Sequence, residues 1–222
     1  MKNRLVLFSN TKGGSGKSTL LGAFANYLLL KGEPVVVVDI DSQAFLYGNR
    51  QEEISEWKAN HPEEDLPDPP YPIFFYRELG DNIEAVISRL KQIEGWILVD
   101  CPGNQSEERL IPWWQAADHL VVPVNYDRGT RRTTKIYAET VRQITDAPMT
   151  FVPNRIRFVH GQNKVQDQDE KATKDLLRPL GNFTPRIKEG VAIARFSTIA
   201  MLDPYQLKAV MYAFDELKKF IK

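Results

Sequence analysis

The residues with the clearest capacity for chemistry lie near the start of the chain, in the segment Thr11–Thr19 (TKGGSGKST). The end of this segment fits the phosphate-binding pattern G-x-x-x-x-G-K-[ST], although Thr11 stands where the pattern has its first glycine. In such loops backbone N–H groups surround a polyphosphate, while the lysine reaches the β- and γ-phosphates and the hydroxyl binds Mg²⁺. We assign these two roles to Lys17 and Ser18. The alternative is a glycine-rich turn with two solvated lysines.

The flanking segments predict the elements that such a loop needs. Arg4–Ser9 is predicted to be a short buried strand, and Lys17–Leu30 is predicted to be a helix because its apolar residues recur at helical spacing. The N-terminus of that helix would direct the positive end of its dipole at the phosphates. Lys12 precedes the turn on which Lys17 converges, so it is placed to reach the phosphates of a neighbouring molecule.

This segment resembles the deviant Walker A motif K-G-G-x-G-K-[ST] of the ParA/MinD family of ATPases, and in particular the short ParA-type partition ATPases without an N-terminal DNA-binding domain. In that family two subunits enclose two ATP molecules, and the early lysine crosses to the partner's phosphates. The resemblance therefore implies ATP and Mg²⁺ as ligands and an ATP-dependent homodimer with Lys12 acting across its interface. The ATP-binding residues that it implies in the loop are Lys12, Gly13, Gly14, Ser15, Gly16, Lys17, Ser18 and Thr19.

Carboxylates stand at the ends of two predicted strands. Asp39 and Asp41 lie two residues apart, so both side chains are expected to face the phosphate side. Asp100 closes V-D-C-P-G as the Walker B aspartate. We assign Ser18, Asp39 and Asp100 to the magnesium site. The resemblance implies that Asp41 positions the attacking water, which makes Lys12, Lys17 and Asp41 the predicted catalytic residues; alternatively, Asp39 and Asp41 only cap the strand end.

The rest of the chain alternates strand and helix signals, which predicts an α/β fold: a three-layer, mostly parallel sheet flanked by helices, as in a P-loop NTPase of the deviant Walker A type. Further strands are predicted at Val35–Ile40, Ile73–Tyr76, Trp96–Cys101, Leu120–Val124 and Thr150–Pro153. Further helices are predicted near Asn82–Ile93, Gln105–Ala117, Gly129–Ile144, Lys164–Leu180 and Pro204–Ile221. A single domain is expected over residues 1–222.

An acidic, proline-rich excursion at about residues 51–72 interrupts this alternation. Seven carboxylates stand there against Lys58 as the single basic residue, and prolines prevent a helix beyond about Asn60. We expect a short acidic helix followed by an extended loop. The segment is either a solvated excursion, a docking surface for a partner or an edge that repels DNA.

Composition restricts the class of protein. Lysine and arginine total 29, as do aspartate and glutamate, so any DNA contact must be a local patch. The single Cys101 allows no intramolecular disulfide, and the first residues lead into a strand instead of a signal peptide. A cytoplasmic, nucleoid-associated protein is expected.

A basic stripe offers that local patch. Four residues are predicted near one face of a helix, where a dimer would double their contacts with DNA phosphates. They are Arg128, Arg131, Arg132 and Lys135. A solvated face with scattered salt bridges is the alternative, and a later basic cluster around Arg186 and Arg195 is another place for DNA.

The resemblance also implies that Asn154 reads the adenine edge, although a turn residue after a strand would look the same.

The expected function is that of a slow Mg²⁺-dependent ATPase, hydrolysing ATP to ADP and phosphate, whose ATP-bound dimer binds DNA non-specifically and partitions or positions a plasmid, a chromosome region or other cargo. A ParB-like or small ribbon-helix-helix adaptor is the expected protein partner. Binding to a membrane is not expected. The alternatives are a MinD-like membrane-surface positioning ATPase, whose last helix would bind lipid, and a metabolic P-loop enzyme resembling dethiobiotin synthetase.

Overall fold

The computed structural model describes residues 2–103, 108–157, 163–190, 193 and 195–221. Within these ranges seven parallel strands form one sheet in the order β3-β2-β4-β1-β5-β6-β7. The strands are β1 (Arg4–Phe8), β2 (Val35–Asp39), β3 (Ile73–Phe75), β4 (Trp96–Asp100), β5 (His119–Val124), β6 (Met149–Pro153) and β7 (Asn182–Phe183). The predicted α/β class with a parallel sheet is confirmed.

Helices connect these strands and cover both faces of the sheet. They are α1 (Lys17–Leu30), α2 (Phe45–Asn60), α3 (Tyr76–Leu79), α4 (Ile83–Leu90), α5 (Ile111–Ala116), α6 (Arg128–Arg142), α7 (Asn163–Leu177) and α8 (Pro204–Phe220). The predicted helix Gln105–Ala117 begins with three residues that lie outside the described residues, and its next residues, Glu108–Leu110, form a 3₁₀ turn instead of an α-helix. The short elements α3 and β7 were not predicted.

The strands are apolar on both faces because each face is covered. On one face Val6 and Phe8 of β1 belong to a core built with α1 and α8, and on the other Leu5 and Leu7 belong to a core built with α4, α5 and α6. This is the near-continuous apolar pattern that buried parallel strands require.

The apolar stripe of α8 forms part of the first core. Phe214 is fully buried, and its ring centroid lies 5.1 Å from that of Phe24 in α1. Packing between helix and sheet therefore accounts for this stripe, which the MinD-like alternative would place on lipid. Within the described ranges, no helix combines the length and apolar composition needed to cross a membrane.

The acidic helix of the excursion is longer than predicted and is attached to the rest of the fold. α2 ends at Asn60 as predicted but already begins at Phe45. Glu53 accepts hydrogen bonds from the backbone N–H of Thr198 (2.8 Å) and the hydroxyl of Ser197 (2.7 Å). The buried Arg50 donates to the carbonyl of Tyr71 (3.1 Å). These contacts give part of the excursion a structural role.

Parallel strands bring their carboxyl ends to one edge of the sheet, and the predicted site residues follow those ends. Asp39 and Asp100 are register partners at the last positions of β2 and β4. The glycine-rich loop follows β1, which pairs with β4, and Asn154 follows β6. The fold thus gathers at one edge residues that are far apart in the sequence.

A buried histidine at the opposite end of β5 makes stability depend on pH. The ring Nε2 of His119 lies 2.9 Å from the hydroxyl of Thr150. Burial, with a smaller contribution from the positive charge of Arg142, lowers the pKa of His119 to about 4. The unfolded chain therefore binds a proton at His119 near pH 6.5, which the folded chain takes up only near pH 4.

We expect the contribution of His119 to the free energy of unfolding to fall by roughly 3 kcal/mol as pH decreases from about 6.5 to about 4, whereas the buried Asp39 and Asp100, whose pKa values are raised, act in the opposite direction. His119→Gln retains a polar side chain but removes the titration, so the difference in stability between the variant and the unmodified protein should change by that amount over this range. Urea unfolding of both proteins between pH 4 and 7.5 measures the difference. Parallel pH profiles would contradict the prediction.

Candidate nucleotide-binding site

The loop between β1 and α1 adopts a backbone that requires glycine at two positions. Gly14 and Gly16 have φ values of 72° and 83°, in the left-handed region. Gly16 has a second constraint, because a Cβ atom there would lie 2.6 Å from the amide nitrogen of Asn154. The loop is therefore closely packed against the residue that follows β6.

The two lysines of the loop occupy different environments. Lys17 is only 8% exposed, and a Cβ atom placed on Gly103 would lie 3.6 Å from its Nζ. Lys12 is exposed on the rim of the site. Although burial alone would raise the pKa of Asp127, hydrogen bonds from Thr130 and the positive charge of Lys12 hold it below its ordinary value. The charge of Lys12 therefore acts on Asp127, with which it shares the wall of a cleft, whereas Lys17 is enclosed.

Asp100 is a fully buried carboxylate whose charge is poorly compensated. Burial and the negative charge of Asp39 raise its pKa to about 8, although the Ser18 hydroxyl and the Lys17 ammonium act in the opposite direction. Within the described residues, neither oxygen of Asp100 accepts a hydrogen bond of standard geometry. The side chain is therefore suited to a bound cation.

Asp39 has a different set of partners. Its carboxylate accepts hydrogen bonds from the backbone N–H groups of Asp41 (3.1 Å), Leu46 (3.0 Å) and Tyr47 (3.1 Å). Burial nevertheless raises its pKa to about 6. These contacts make the carboxylate of Asp39 an acceptor for the first N–H groups of α2, whereas the alternative weighed above was a cap of the strand end. Asp41 is half-buried and accepts a hydrogen bond from the N–H of Gln43 (3.0 Å).

Two clefts meet at the loop. The first has a volume of about 660 Å³ and contains Lys17 and Ser18 together with Asp41, Phe45 and Gly103 in its wall. The second has a volume of about 750 Å³ and extends from the loop towards α7. The first can hold phosphates and the second a nucleoside, because a phosphate-binding loop lies at their junction.

Asn154 lies in the wall of the second cleft, next to the loop. Its amide nitrogen donates to the carbonyl of Ser15 (3.0 Å). One donor of this side chain is therefore used to hold the loop, while the predicted contact with adenine stays a prediction.

Three further residues of the site were not predicted. Asn10 is buried and donates to the carbonyl of Pro123 (2.7 Å), which ties the start of the loop to β5. Asp127 is the N-cap of α6, and the sequence pattern of an aspartate three residues before Thr130 could have indicated it. Arg155 donates to the carbonyl of Gly14 (2.7 Å), and no local sequence signal indicates that contact.

The predicted basic stripe on α6 is partly neutralised. Arg131 pairs with Asp169 of the neighbouring α7 (3.5 Å), and Lys135 pairs with Glu139 of its own helix. Arg128 and Arg132 are exposed, and within the part of the chain that the structure describes they form no ion pair. The stripe therefore contains two available charges instead of four.

Comparison with known proteins identifies the family. A family model described as ATPase MipZ matches residues 4–128, more than half of the chain. The chain belongs to the MipZ family of ATPases. It is a P-loop ATPase of the ParA/MinD type, as the sequence predicted. No curated protein sequence matches this ATPase.

Solved structures of such proteins share its fold. A plasmid partition protein of Borrelia burgdorferi bound to AMPPNP is 17% identical, with 99% of this chain and 100% of that chain covered at a TM-score of 0.70. McdA of Cyanothece is 18% identical (99% and 100% covered, TM-score 0.71), and the cell division protein MinD of Aquifex aeolicus is 16% identical (99% and 98% covered, TM-score 0.71). At these identities the similarity establishes the fold.

The possible ligands in this ATPase fit Mg²⁺ better than a metal ion whose ligands are all protein side chains. Among the described residues, no group of three or more histidine, cysteine, aspartate or glutamate side chains is arranged to hold a metal ion. Mg²⁺ is usually held by one or two carboxylates with water and substrate phosphates, which suits the uncompensated oxygens of Asp100 beside Ser18.

The contacts of the two aspartates at the end of β2 and just after it predict different effects on stability. Asp39→Ala leaves two N–H groups at the start of α2 and the N–H of Asp41 without their acceptor, so the free energy of unfolding should fall by about 1–3 kcal/mol. Asp41→Ala loses one exposed hydrogen bond and should change it by less than about 1 kcal/mol. Urea unfolding of both variants without nucleotide checks this; equal effects would contradict the assignment of Asp39 as the acceptor for these N–H groups.

Proposed function

We propose that this protein is an ATP-operated dimerisation switch that binds DNA non-specifically and distributes or positions cargo. The observation that carries the proposal is the separation of the two loop lysines: Lys17 is enclosed beside Asp100, whereas Lys12 is exposed on the rim. One lysine is placed for the nucleotide of its own subunit. The other is free to contact a nucleotide held by a second subunit.

The proposed ATP-binding residues surround the junction of the two clefts. The backbone of the loop and Lys17 would hold the polyphosphate, and Asn154 is proposed to contact adenine with the part of its amide that is not bonded to Ser15. The proposed set comprises Lys12, Gly13, Gly14, Ser15, Gly16, Lys17, Ser18, Thr19 and Asn154. The structure of the Borrelia relative with AMPPNP supports the choice of nucleotide.

The proposed metal residues are Ser18 and Asp100, with Asp39 beside them. Asp39 is bonded to the backbone of the Asp41 loop, so its contribution would come through the position of that loop. Bound Mg²⁺ would neutralise phosphate charge. The structure of MinD from Pyrococcus horikoshii with Mg-ADP supports this cofactor.

Hydrolysis requires a water molecule in line with the γ-phosphate and neutralisation of the charge that develops there. Asp41 is proposed to orient that water, because it lies in the wall of the phosphate cleft on a loop fixed by Asp39. Lys17 of the same subunit and Lys12 of the second would stabilise the charge. The switch would therefore hydrolyse ATP only as a dimer, and hydrolysis would release the two subunits.

DNA binding is proposed through the exposed residues of the α6 stripe. Arg128 and Arg132 are available in a monomer, whereas Arg131 and Lys135 would first have to leave Asp169 and Glu139. Two subunits present four available arginines, and each phosphate contact multiplies affinity through counterion release. A ParB-like or ribbon-helix-helix adaptor is proposed to stimulate hydrolysis.

Lys12→Ala should separate dimerisation from nucleotide binding. We expect it to retain ATP binding but to lose the ATP-dependent dimer and to lower turnover at least about 10²-fold. Asp41→Ala is the matched comparison: it should lower turnover at least about 10²-fold yet retain the dimer. Size-exclusion chromatography with a hydrolysis-resistant ATP analogue and a phosphate-release assay measure both. If Lys12→Ala still formed an ATP-bound dimer, the proposed role of Lys12 in the dimerisation switch would be contradicted.

The proposed role of the α6 stripe predicts a specific change in how the affinity for DNA depends on salt concentration. Replacing Arg128 and Arg132 by alanine should weaken binding of duplex DNA by the ATP-bound dimer and flatten the plot of log affinity against log salt by about one unit per lost contact. Replacing Lys91 and Arg178, which follow the ends of α4 and α7 at the other edge of the sheet, removes the same charge as a control. Equal slopes in the two double variants, or equal binding of DNA with ADP and with the ATP analogue, would refute the proposed role of the stripe in DNA binding.

A further inference from the structure

Two side chains that follow β6 hold the carbonyl groups of the phosphate-binding loop. Arg155 donates from Nη1 to the carbonyl of Gly14 (2.7 Å), and Asn154 donates from Nδ2 to the carbonyl of Ser15 (3.0 Å). Both bonds join residues about 140 positions apart in the sequence. Two consecutive peptide groups of the loop are therefore oriented from outside the loop.

The orientation of a carbonyl determines the orientation of the next N–H. In a trans peptide the C=O of one residue and the N–H of the following residue point in opposite directions. Bonding the carbonyls of Gly14 and Ser15 to the end of β6 therefore turns the N–H groups of Ser15 and Gly16 away from β6. Within the described residues these two N–H groups donate no hydrogen bond, which leaves them available to a phosphate.

The backbone of Arg155 has an unfavourable conformation, which its hydrogen bond to the carbonyl of Gly14 accounts for. Its φ of 56° lies in the left-handed region, which is unfavourable for arginine and is most often retained where it serves a function. The second guanidinium nitrogen, Nη2, lies 3.7 Å from Glu189, which keeps the side chain directed along the loop. Arg157 also pairs with Glu189 but makes no hydrogen bond to the loop within the described residues.

We infer that Arg155 is a positioning residue, which orients the N–H group of Ser15 towards the bound phosphates through its bond to the carbonyl of Gly14, beside the N–H group of Gly16 that Asn154 orients through Ser15. The inference rests on the proposed binding of ATP and deepens it. Because backbone N–H groups of such loops cradle the α- and β-phosphates, which ADP and ATP share, the effect of Arg155 should be the same for both nucleotides. A direct contact with the γ-phosphate would instead favour ATP.

The test uses Arg155→Gly, because glycine adopts a φ of 56° without strain, so the variant loses the arginine side chain with its guanidinium donor but gains no backbone strain. We expect affinity for ADP and for a hydrolysis-resistant ATP analogue to fall by the same factor, about tenfold or more, with an unchanged or higher melting temperature without nucleotide. Arg155→Lys retains a donor and should recover part of the loss. Fluorescence titration with labelled nucleotides and thermal unfolding give these values.

Arg157→Ala is the matched control, since it removes an arginine that shares Glu189 and leaves the loop untouched. It should bind both nucleotides like the unmodified protein. Unchanged affinity in Arg155→Gly, a loss confined to the ATP analogue, or an equal loss in Arg157→Ala would overturn the inference alone. If the unmodified protein bound neither nucleotide, the proposed function would fail and the inference with it.

Discussion

Two carboxyl groups meet at the carboxyl edge of the sheet, and the site is arranged around them. Asp39 and Asp100 are register partners on adjacent strands, and both are fully buried. Backbone N–H groups at the start of α2 compensate Asp39, whereas Lys17 and Ser18 only partly compensate Asp100, which the proposed cation would complete. Since an uncompensated buried carboxylate is costly, the loop, the start of α2 and the proposed metal position are coupled through this pair.

The same loop is held from its other side by hydrogen bonds from three side chains. Asn10 connects its start to β5 and to Thr134 of α6, and Asn154 and Arg155 connect its middle to the end of β6. Such a loop can present its N–H groups to a phosphate without rearranging at the moment of binding. Rigidity on this side is consistent with a switch in which the movable parts are the subunits themselves.

The outer surface shows how a chain of zero net charge could still bind a polyanion. On α6 two arginines are exposed, while Arg131 is neutralised by Asp169 of α7 and Lys135 by Glu139. Because long-range attraction is weak at zero net charge, the number of phosphate contacts determines binding, and dimerisation would double that number. In the proposed function, these ion pairs would keep the affinity of a monomer for DNA low.

The sequence by itself determined the fold class, six of the seven strands described in the sheet and the residues of the loop, because buried apolar runs and left-handed glycines are local requirements. The register that sets Asp39 beside Asp100 follows from that sheet. Only the tertiary structure decided how each polar side chain is used. Asn154 bonds to a residue 139 positions away and Arg131 pairs with one 38 positions away. Each of these side chains has several partners that its type allows, and packing selects among them.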